Sequence, residues 1–356
     1  MATRTVLACV GAMQWGRKFG ERFVLDCYDL LSQRSVTIHA LPSGAADIGV
    51  WFATRVGDSL LAAGGGCEFP IYQLVRKPDD SRRDWQPIMG QCTCESSTTT
   101  APCQHSFVCQ NNSVPPPQFC ELFGVFLKGS GDIVFAGEVA LDKDAMTTVV
   151  VSRPFLYNVR NCCWSLLPPM NSPRTMAACA VLPDPFDGRD RLIVAAGISV
   201  DENGIERLSA AVEEYDPIDN RWVSLPDAPE PIAVSSSTVW KRTLIVAAEQ
   251  PSGENDYDIL DPHIWLFSLE SMQWSKLPDL LPSWPLLSFD DHVLGGAPNV
   301  VTVDGDLYAL IVYKDRYTLI YKFDEEAYEW DPLDHGPDSC VFNSTEIVPT
   351  PLSAAL

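Results

Sequence analysis

The sequence is poor in positive charge. It has 25 lysine and arginine residues against 47 aspartate and glutamate residues, which gives a formal net charge of −22. An acidic excess of this size repels phosphate backbones and anionic lipid surfaces. We therefore expect no nucleic acid and no membrane among the partners, and we expect other proteins instead.

Long apolar runs are also lacking. No stretch reaches the roughly 18 to 20 uncharged apolar residues that span a bilayer as a helix. The apolar run over 5–13 is followed by Trp15, Gly16 and Arg17 rather than by a small-residue cleavage site, so it does not have the pattern of a signal peptide. We expect a cytoplasmic or nuclear protein whose 12 cysteines are mostly reduced.

Local catalytic motifs are absent as well. The sequence contains neither G-x-S-x-G nor G-x-x-x-x-G-K-[ST], the motifs of a serine hydrolase and of a P-loop. The five histidines lie far apart along the chain, at His39, His105, His263, His292 and His335. We therefore assign no catalytic residue from local spacing.

What the sequence does contain is a repeated aromatic pattern. Four times, an aromatic residue precedes a tryptophan by seven positions, and a leucine, usually followed by proline, comes shortly afterwards. The four pairs are Tyr157 and Trp164, Tyr215 and Trp222, Phe267 and Trp274, and Phe323 and Trp330. The tryptophans recur roughly every 50 to 60 residues, which is the period of one propeller blade.

Short uncharged runs that end in small residues precede each copy. They cover 133–137, 192–197, 244–248 and 307–312. Such runs predict strands that are buried on both faces. Each repeat is thus predicted to hold four strands: an inner strand, the small-residue strand, the aromatic strand and the outer tryptophan strand.

This order of small pair, Tyr-Asp-Pro, Trp and Leu-Pro resembles the kelch repeat of plant-type F-box/kelch proteins and of the galactose oxidase central domain. Only Gly64, Gly65 and Gly66 keep the double glycine of that repeat. The resemblance implies an all-β fold, a six-bladed kelch-type β-propeller that is closed by pairing of the N- and C-terminal segments. The repeated tryptophans would then pack between blades.

A single propeller domain over 1–356 is the predicted organisation. The segment 1–43 supplies only three strands, so 339–350 is predicted to add the fourth and close the ring, with a frayed tail as the alternative. The predicted blades are 1–43 with 339–350, 44–89, 121–169, 170–227, 228–281 and 286–335.

A Cys-rich insertion interrupts this pattern at 90–120. Its thiols and imidazole are zinc-ligand types, and the candidate ligands are Cys92, Cys94, Cys103, His105 and Cys109. Their spacing matches no standard zinc finger, so a polar surface loop with free or mutually paired thiols is the competing interpretation. We expect no cofactor, with a zinc-dependent adaptor as the alternative.

Acidic loops are the candidate binding surface. In propellers the connections between second and third strands gather at one end of the ring. The two such loops here, 198–209 and 249–261, contribute Asp201, Glu202, Glu206, Arg207, Glu254, Asp256, Asp258 and Asp261. The last three aspartates also have calcium-ligand oxygens but lack the rest of an EF-hand pattern. Three tryptophans outside the repeat register are candidates for ligand contact: Trp240, Trp265 and Trp284.

These features predict a non-enzymatic interaction scaffold or substrate-recognition module whose acidic loops bind a basic segment of another protein. In the families it resembles, such a propeller selects a target while an F-box or BTB domain recruits a ubiquitin ligase. We expect the first blade to begin by about Thr5, with no room before it for such a domain, so the expectation is either a free-standing scaffold or a sequence that begins downstream of the natural start. Ubiquitin-ligase components are implied by resemblance alone. The alternative is a propeller enzyme of the mutarotase, sialidase or copper oxidase type, with a site at the central channel mouth.

Overall fold

The chain is built from antiparallel β-sheets. The computed structural model describes residues 6–10, 24–29, 34–40, 51–56, 59–64, 71–76, 83–87, 119–127, 132–140, 148–150, 152–158, 163–200, 205–251, 260–280, 298–303, 305–313 and 317–333. Over these residues the secondary structure is strand and turn, which confirms the all-β prediction. This part of the chain has no helix long and apolar enough to cross a membrane.

The first two sheets are simple meanders. Sheet I contains β1 (Val6–Val10), β2 (Val24–Asp29) and β3 (Arg34–Ala40). Sheet II contains β4 (Trp51–Val56), β5 (Ser59–Gly64), β6 (Ile71–Arg76) and β7 (Arg83–Pro87). In both, each strand pairs with the next one in the chain.

Sheet III has a five-strand pattern that the repeat did not predict. Its strands are β8 (Phe119–Leu127), β9 (Asp132–Ala140), β10 (Thr148–Val150), β11 (Phe155–Asn158) and β12 (Cys163–Leu166). The long strand β9 pairs with β8 along one edge and with both β11 and β10 along the other. Because β8 begins at Phe119, the last two residues of 90–120 belong to a strand.

The next stretch of chain forms two sheets. Its strands are β13 (Arg174–Thr175), β14 (Ala178–Pro183), β15 (Asp190–Ala195), β16 (Ile198–Val200), β17 (Glu206–Leu208), β18 (Val212–Asp216) and β19 (Arg221–Leu225). Sheet IV has the order β14-β15-β18-β19. The remaining strands form a small sheet of order β13-β16-β17, which we call the side sheet.

Two further four-stranded meanders complete the described chain. Sheet V contains β20 (Ala233–Trp240), β21 (Thr243–Pro251), β22 (Leu260–Ser268) and β23 (Gln273–Lys276). Sheet VI contains β24 (Asn299–Val303), β25 (Asp306–Tyr313), β26 (Tyr317–Asp324) and β27 (Glu329–Pro332).

The six main sheets follow one another side by side. The first strand of each sheet contacts the first strand of the next, in the order β1, β4, β8, β14, β20 and β24. The start of β20 lies beside the start of β14, because the Val234 amide donates to the Met176 carbonyl at 2.9 Å. The predicted closing strand, 339–350, lies outside the described residues, so closure of a ring stays a prediction.

The small-residue strands are buried on both faces, as predicted. In β15, Leu192 and Val194 join an apolar cluster shared with sheet III, while Ile193 and Ala195 join one shared with sheet V. These side chains are almost completely buried. Strand β21 alternates in the same way between sheets IV and VI. The core therefore consists of apolar layers between neighbouring sheets.

The seven-residue aromatic spacing is explained by a hairpin. In each copy the aromatic residue and the tryptophan are direct cross-strand partners. Their ring centroids lie 4.9 to 5.6 Å apart. In three copies the residue two positions before the tryptophan has a positive φ, which closes the turn: Asn220, Met272 and Tyr328.

The same tryptophans join neighbouring sheets. Trp222 Nε1 donates to the Pro168 carbonyl at 2.9 Å. Trp274 and Trp330 repeat this bond to the carbonyls of Pro226 and Pro278, at 3.2 and 3.0 Å. Each acceptor belongs to the Leu-Pro segment of the preceding repeat. The repeat tryptophans that were predicted to pack between blades therefore lie between sheets.

Candidate protein-binding surface

The side sheet grows out of the hairpin between β15 and β18. Ala196 and Gly197 both have positive φ, at 58° and 98°, and redirect the chain from sheet IV into β16. A Cβ on Gly197 would lie 2.5 Å from the Thr175 carbonyl oxygen. This position therefore requires glycine, both for its φ and for the close approach of β13.

Large apolar side chains are exposed on and around the side sheet. Leu208 is 42% exposed and Ile205 is 50% exposed, although soluble proteins bury most such side chains. Four exposed apolar side chains make up what we call the side-sheet patch: Met176, Val200, Ile205 and Leu208. All three residues of β17 are exposed.

A buried ion pair anchors the side sheet. Arg174, in β13, has no exposed surface and bonds through Nη2 to Glu213 Oε1 of β18. It also donates to the carbonyls of Ser172, at 2.8 Å, and of Ala211. Burial lowers the pKa of Arg174 while the Glu213 carboxylate opposes that shift, and an arginine remains charged near neutral pH.

Glu213 also orders the chain that leads into β13. Its carboxylate accepts hydrogen bonds from the Asn171 amide at 2.7 Å and from the Ser172 amide at 3.0 Å. The sequence analysis missed this pair, although Glu213 directly follows the apolar Val212 in the predicted aromatic strand. The hydrogen bonds described for Arg174 and Glu213 join them to each other and to backbone groups, so the pair is structural.

The predicted acidic residues fall partly within the described chain. Glu206 and Arg207 are exposed in β17, and Glu206 has no ion pair among the described residues. Asp261 lies in β22, where its backbone pairs with Gln250. The other acidic candidates lie outside the described residues: Asp201, Glu202, Glu254, Asp256 and Asp258.

The two acidic hairpins leave neighbouring sheets at the same end. One connects β16 to β17 and the other connects β21 to β22. The Gly197 amide, where the side sheet begins, donates to the Ile232 carbonyl just before β20, at 2.8 Å. The structure thus brings the bases of both hairpins to the seam between sheets IV and V.

A histidine and a glutamate lie together at this seam. His263 Nδ1 lies 3.1 Å from Glu230 Oε1, and the histidine ring meets Trp265 edge-on, with centroids 6.3 Å apart. The segment that carries Glu230 is tied to the side sheet, because Ile232 donates to the Ser209 carbonyl. Trp265 Nε1 is buried without a hydrogen-bond partner in the described structure.

The off-register tryptophans have different environments. Trp240 was a candidate for ligand contact, but the structure places it in the core between sheets V and VI. Its Nε1 donates to the Gly305 carbonyl at 2.8 Å, and its ring packs edge-on against Phe323. Trp265 is partly buried against the layer between sheets IV and V. Trp284 lies outside the described residues.

The structure does not test the predicted zinc site. The proposed zinc ligands lie outside the described residues, at Cys92, Cys94, Cys103, His105 and Cys109. Where side chains are described, no three His, Cys, Asp or Glu residues are arranged to hold a metal ion. Cys179 packs against the layer between sheets III and IV, and this burial raises the pKa of its thiol.

The opposite end of sheet IV carries a different surface. Phe186 and Ile218 project from its two turns and are 89% and 74% exposed. Charges there are paired within each turn, as Arg189 with Asp187 and Arg221 with Asp219. This end therefore exposes apolar side chains beside ion-paired turn charges, and we call the opposite end, from which the two acidic hairpins leave, the acidic end.

Comparison with known proteins assigns no relative. No family model matches the chain. A search of curated proteins likewise finds no significant match. The argument for function thus depends on the repeat and on the surfaces described above.

Proposed function

We propose that the chain is a six-bladed β-propeller of the kelch type. Three features support this proposal: sheets that follow each other in chain order, apolar layers between them, and tryptophans that bond to the preceding repeat. A ring would bring sheet VI beside sheet I. The segment 339–350 would then supply the fourth strand of sheet I, leaving no open sheet edge.

Within this ring, the acidic end would bind a basic segment of another protein, and the chain would act as a non-enzymatic scaffold. The observation that carries this proposal is the side-sheet patch, which exposes apolar side chains beside Glu206, a carboxylate with no ion pair among the described residues. Apolar groups next to charge of one sign are typical of a binding surface. The acidic hairpin sequences around it extend the same sign of charge.

The three buried charged residues of the described chain have structural roles. Arg174 and Glu213 bond to each other and to backbone groups, and Asp132 accepts a hydrogen bond from Asn158 at 2.6 Å. Each of these groups is engaged in holding strands together. None of the three is left available to transfer a proton to a substrate.

A matched pair of charge-reversal variants tests the proposal. The first changes Asp201, Glu202 and Glu206 to lysine. The control changes three exposed acidic residues elsewhere, Glu270, Glu326 and Glu329, to lysine. Both variants alter net charge equally, so they separate a local surface from the overall charge.

The readout is the binding of a fluorescent lysine-rich peptide, followed by anisotropy at two salt concentrations. We expect the first variant to bind at least tenfold more weakly, while the control binds like the wild type. Equal losses in both variants would show that only the overall charge matters, and the proposed binding surface would be abandoned.

A further inference from the structure

Strand β17 has an edge with outward-facing backbone groups. It lies at the end of the side sheet, whose order is β13-β16-β17. The Ser209 amide donates to the Gly197 carbonyl at 2.8 Å, which makes that cross-strand pair a hydrogen-bonded one. Pairs alternate along an antiparallel ladder, so Ser199 and Arg207 form the next hydrogen-bonded pair. The amides and carbonyls of Glu206 and Leu208 therefore face away from β16.

The side chains at these two positions are complementary to a particular kind of strand. Glu206 and Leu208 lie on the same face of β17, because side chains alternate along a strand. Leu208 is 42% exposed, and Glu206 has no ion pair in the described part of the chain. An incoming strand would meet a carboxylate at one position and an apolar side chain two residues away.

We propose that an extended segment of another protein adds to β17 as a further strand. This inference depends on the proposed function and specifies how the basic segment is held. Backbone hydrogen bonds to Glu206 and Leu208 bind the segment, and a lysine or arginine opposite Glu206 with an apolar residue opposite Leu208 selects it. The segment therefore carries a basic and an apolar residue two positions apart.

A second copy of this chain fits the edge poorly. Each copy has a formal net charge of −22, so two copies repel each other. A second β17 would also offer the edge Glu206 rather than a basic residue. Charge complementarity therefore favours a basic segment of a different protein.

Two substitutions at one position separate backbone from side-chain binding. Leu208→Ala and Leu208→Pro both remove the apolar side chain, but only proline also removes the outward-facing amide hydrogen. Because that amide does not bond to β16, proline leaves the hydrogen bonds of the side sheet in place, and edge positions tolerate it. Ile218→Ala, at the opposite end of sheet IV, is the control for loss of an exposed apolar side chain.

The probe is a short fluorescent peptide that alternates valine and threonine and has lysine in place of one valine. A second peptide has the same sequence with N-methylated backbone amides. We expect the first peptide to bind wild type and Ile218→Ala equally. Leu208→Pro should bind it about five- to tenfold more weakly than Leu208→Ala, the cost of one hydrogen bond. The N-methylated peptide should fail to bind wild type.

The outcomes distinguish the two proposals. Strand addition is wrong if Leu208→Pro and Leu208→Ala bind the lysine peptide with the same affinity and the N-methylated peptide binds as well as the first. The proposed acidic binding surface still holds in that case, provided that binding depends on Glu206. If no lysine peptide binds wild type, both proposals fail. Dimers that are lost on Leu208→Pro, seen by sedimentation, would assign the edge to a second copy and overturn the inference. The N-methylated peptide needs no variant, so it tests strand addition even if Leu208→Pro does not fold.

Discussion

Removing one partner of the Arg174–Glu213 ion pair should destabilise the protein strongly. Glu213→Leu leaves the fully buried Arg174 guanidinium without its carboxylate partner. It also removes the acceptor of the Asn171 and Ser172 amides. Breaking a buried ion pair from one side costs about 3–5 kcal/mol. We expect a loss of that size for Glu213→Leu and also for Arg174→Met.

The double variant should lose less than the two single variants together. With both charges gone, the remaining cost is that of two backbone amides without acceptors, about 2–4 kcal/mol in total. The two single losses together amount to about 6–10 kcal/mol, so the predicted coupling between the two positions is at least about 2 kcal/mol. Glu214→Leu is the matched control: Arg191 keeps Asp184 as a second carboxylate partner at 3.3 Å, so this variant should lose less stability than Glu213→Leu.

Urea unfolding followed by tryptophan fluorescence measures these differences. Comparison of midpoints at a constant slope gives the change in unfolding free energy for each variant. Losses that simply add in the double variant, or a Glu213→Leu effect no larger than that of Glu214→Leu, would refute the assignment of this pair as the anchor of the side sheet.

Four further predictions follow from individual contacts. Trp330→Phe should destabilise by about 1–3 kcal/mol in urea unfolding, because it removes the bond to the Pro278 carbonyl. Trp265→Phe should change stability by less, because its Nε1 has no partner among the described residues, and a larger loss than for Trp330→Phe would contradict this. Gly197→Ala should lower the melting temperature, since its Cβ would clash with the Thr175 carbonyl; an unchanged melting temperature would show that the turn relaxes. Cys179 should resist iodoacetamide in the native protein and react after unfolding, as mapped by mass spectrometry; native labelling would contradict its raised pKa.

The parts of the fold that recur in the sequence were predictable. An aromatic residue and a tryptophan seven positions apart fix one hairpin, because they are cross-strand partners around a turn of constant length. Runs such as 192–197 have too few polar side chains to face water, so their burial on two faces follows from composition. Repetition turned each weak local signal into a consistent pattern.

The side sheet could not be predicted in the same way. Strands β16 and β17 have only three residues each, which is too short for the apolar alternation that marks a half-buried strand, and all of β17 is exposed. Arg174 and Glu213 lie far apart in sequence, and charged residues are usually solvated, so nothing local indicated a buried pair. Trp240 lies outside the repeat register, and its Nε1 bonds to Gly305 in the turn between β24 and β25, a contact with the next sheet that no local pattern indicates.

Hydrogen–deuterium exchange over 339–350 tests the central claim most directly. If this segment completes sheet I and closes a ring of six sheets, its amides should exchange as slowly as those of β1 (Val6–Val10). Deletion of the segment should then also speed exchange in β1. Full exchange of 339–350 at the earliest time point, with β1 protected all the same, would contradict a propeller closed by its two ends.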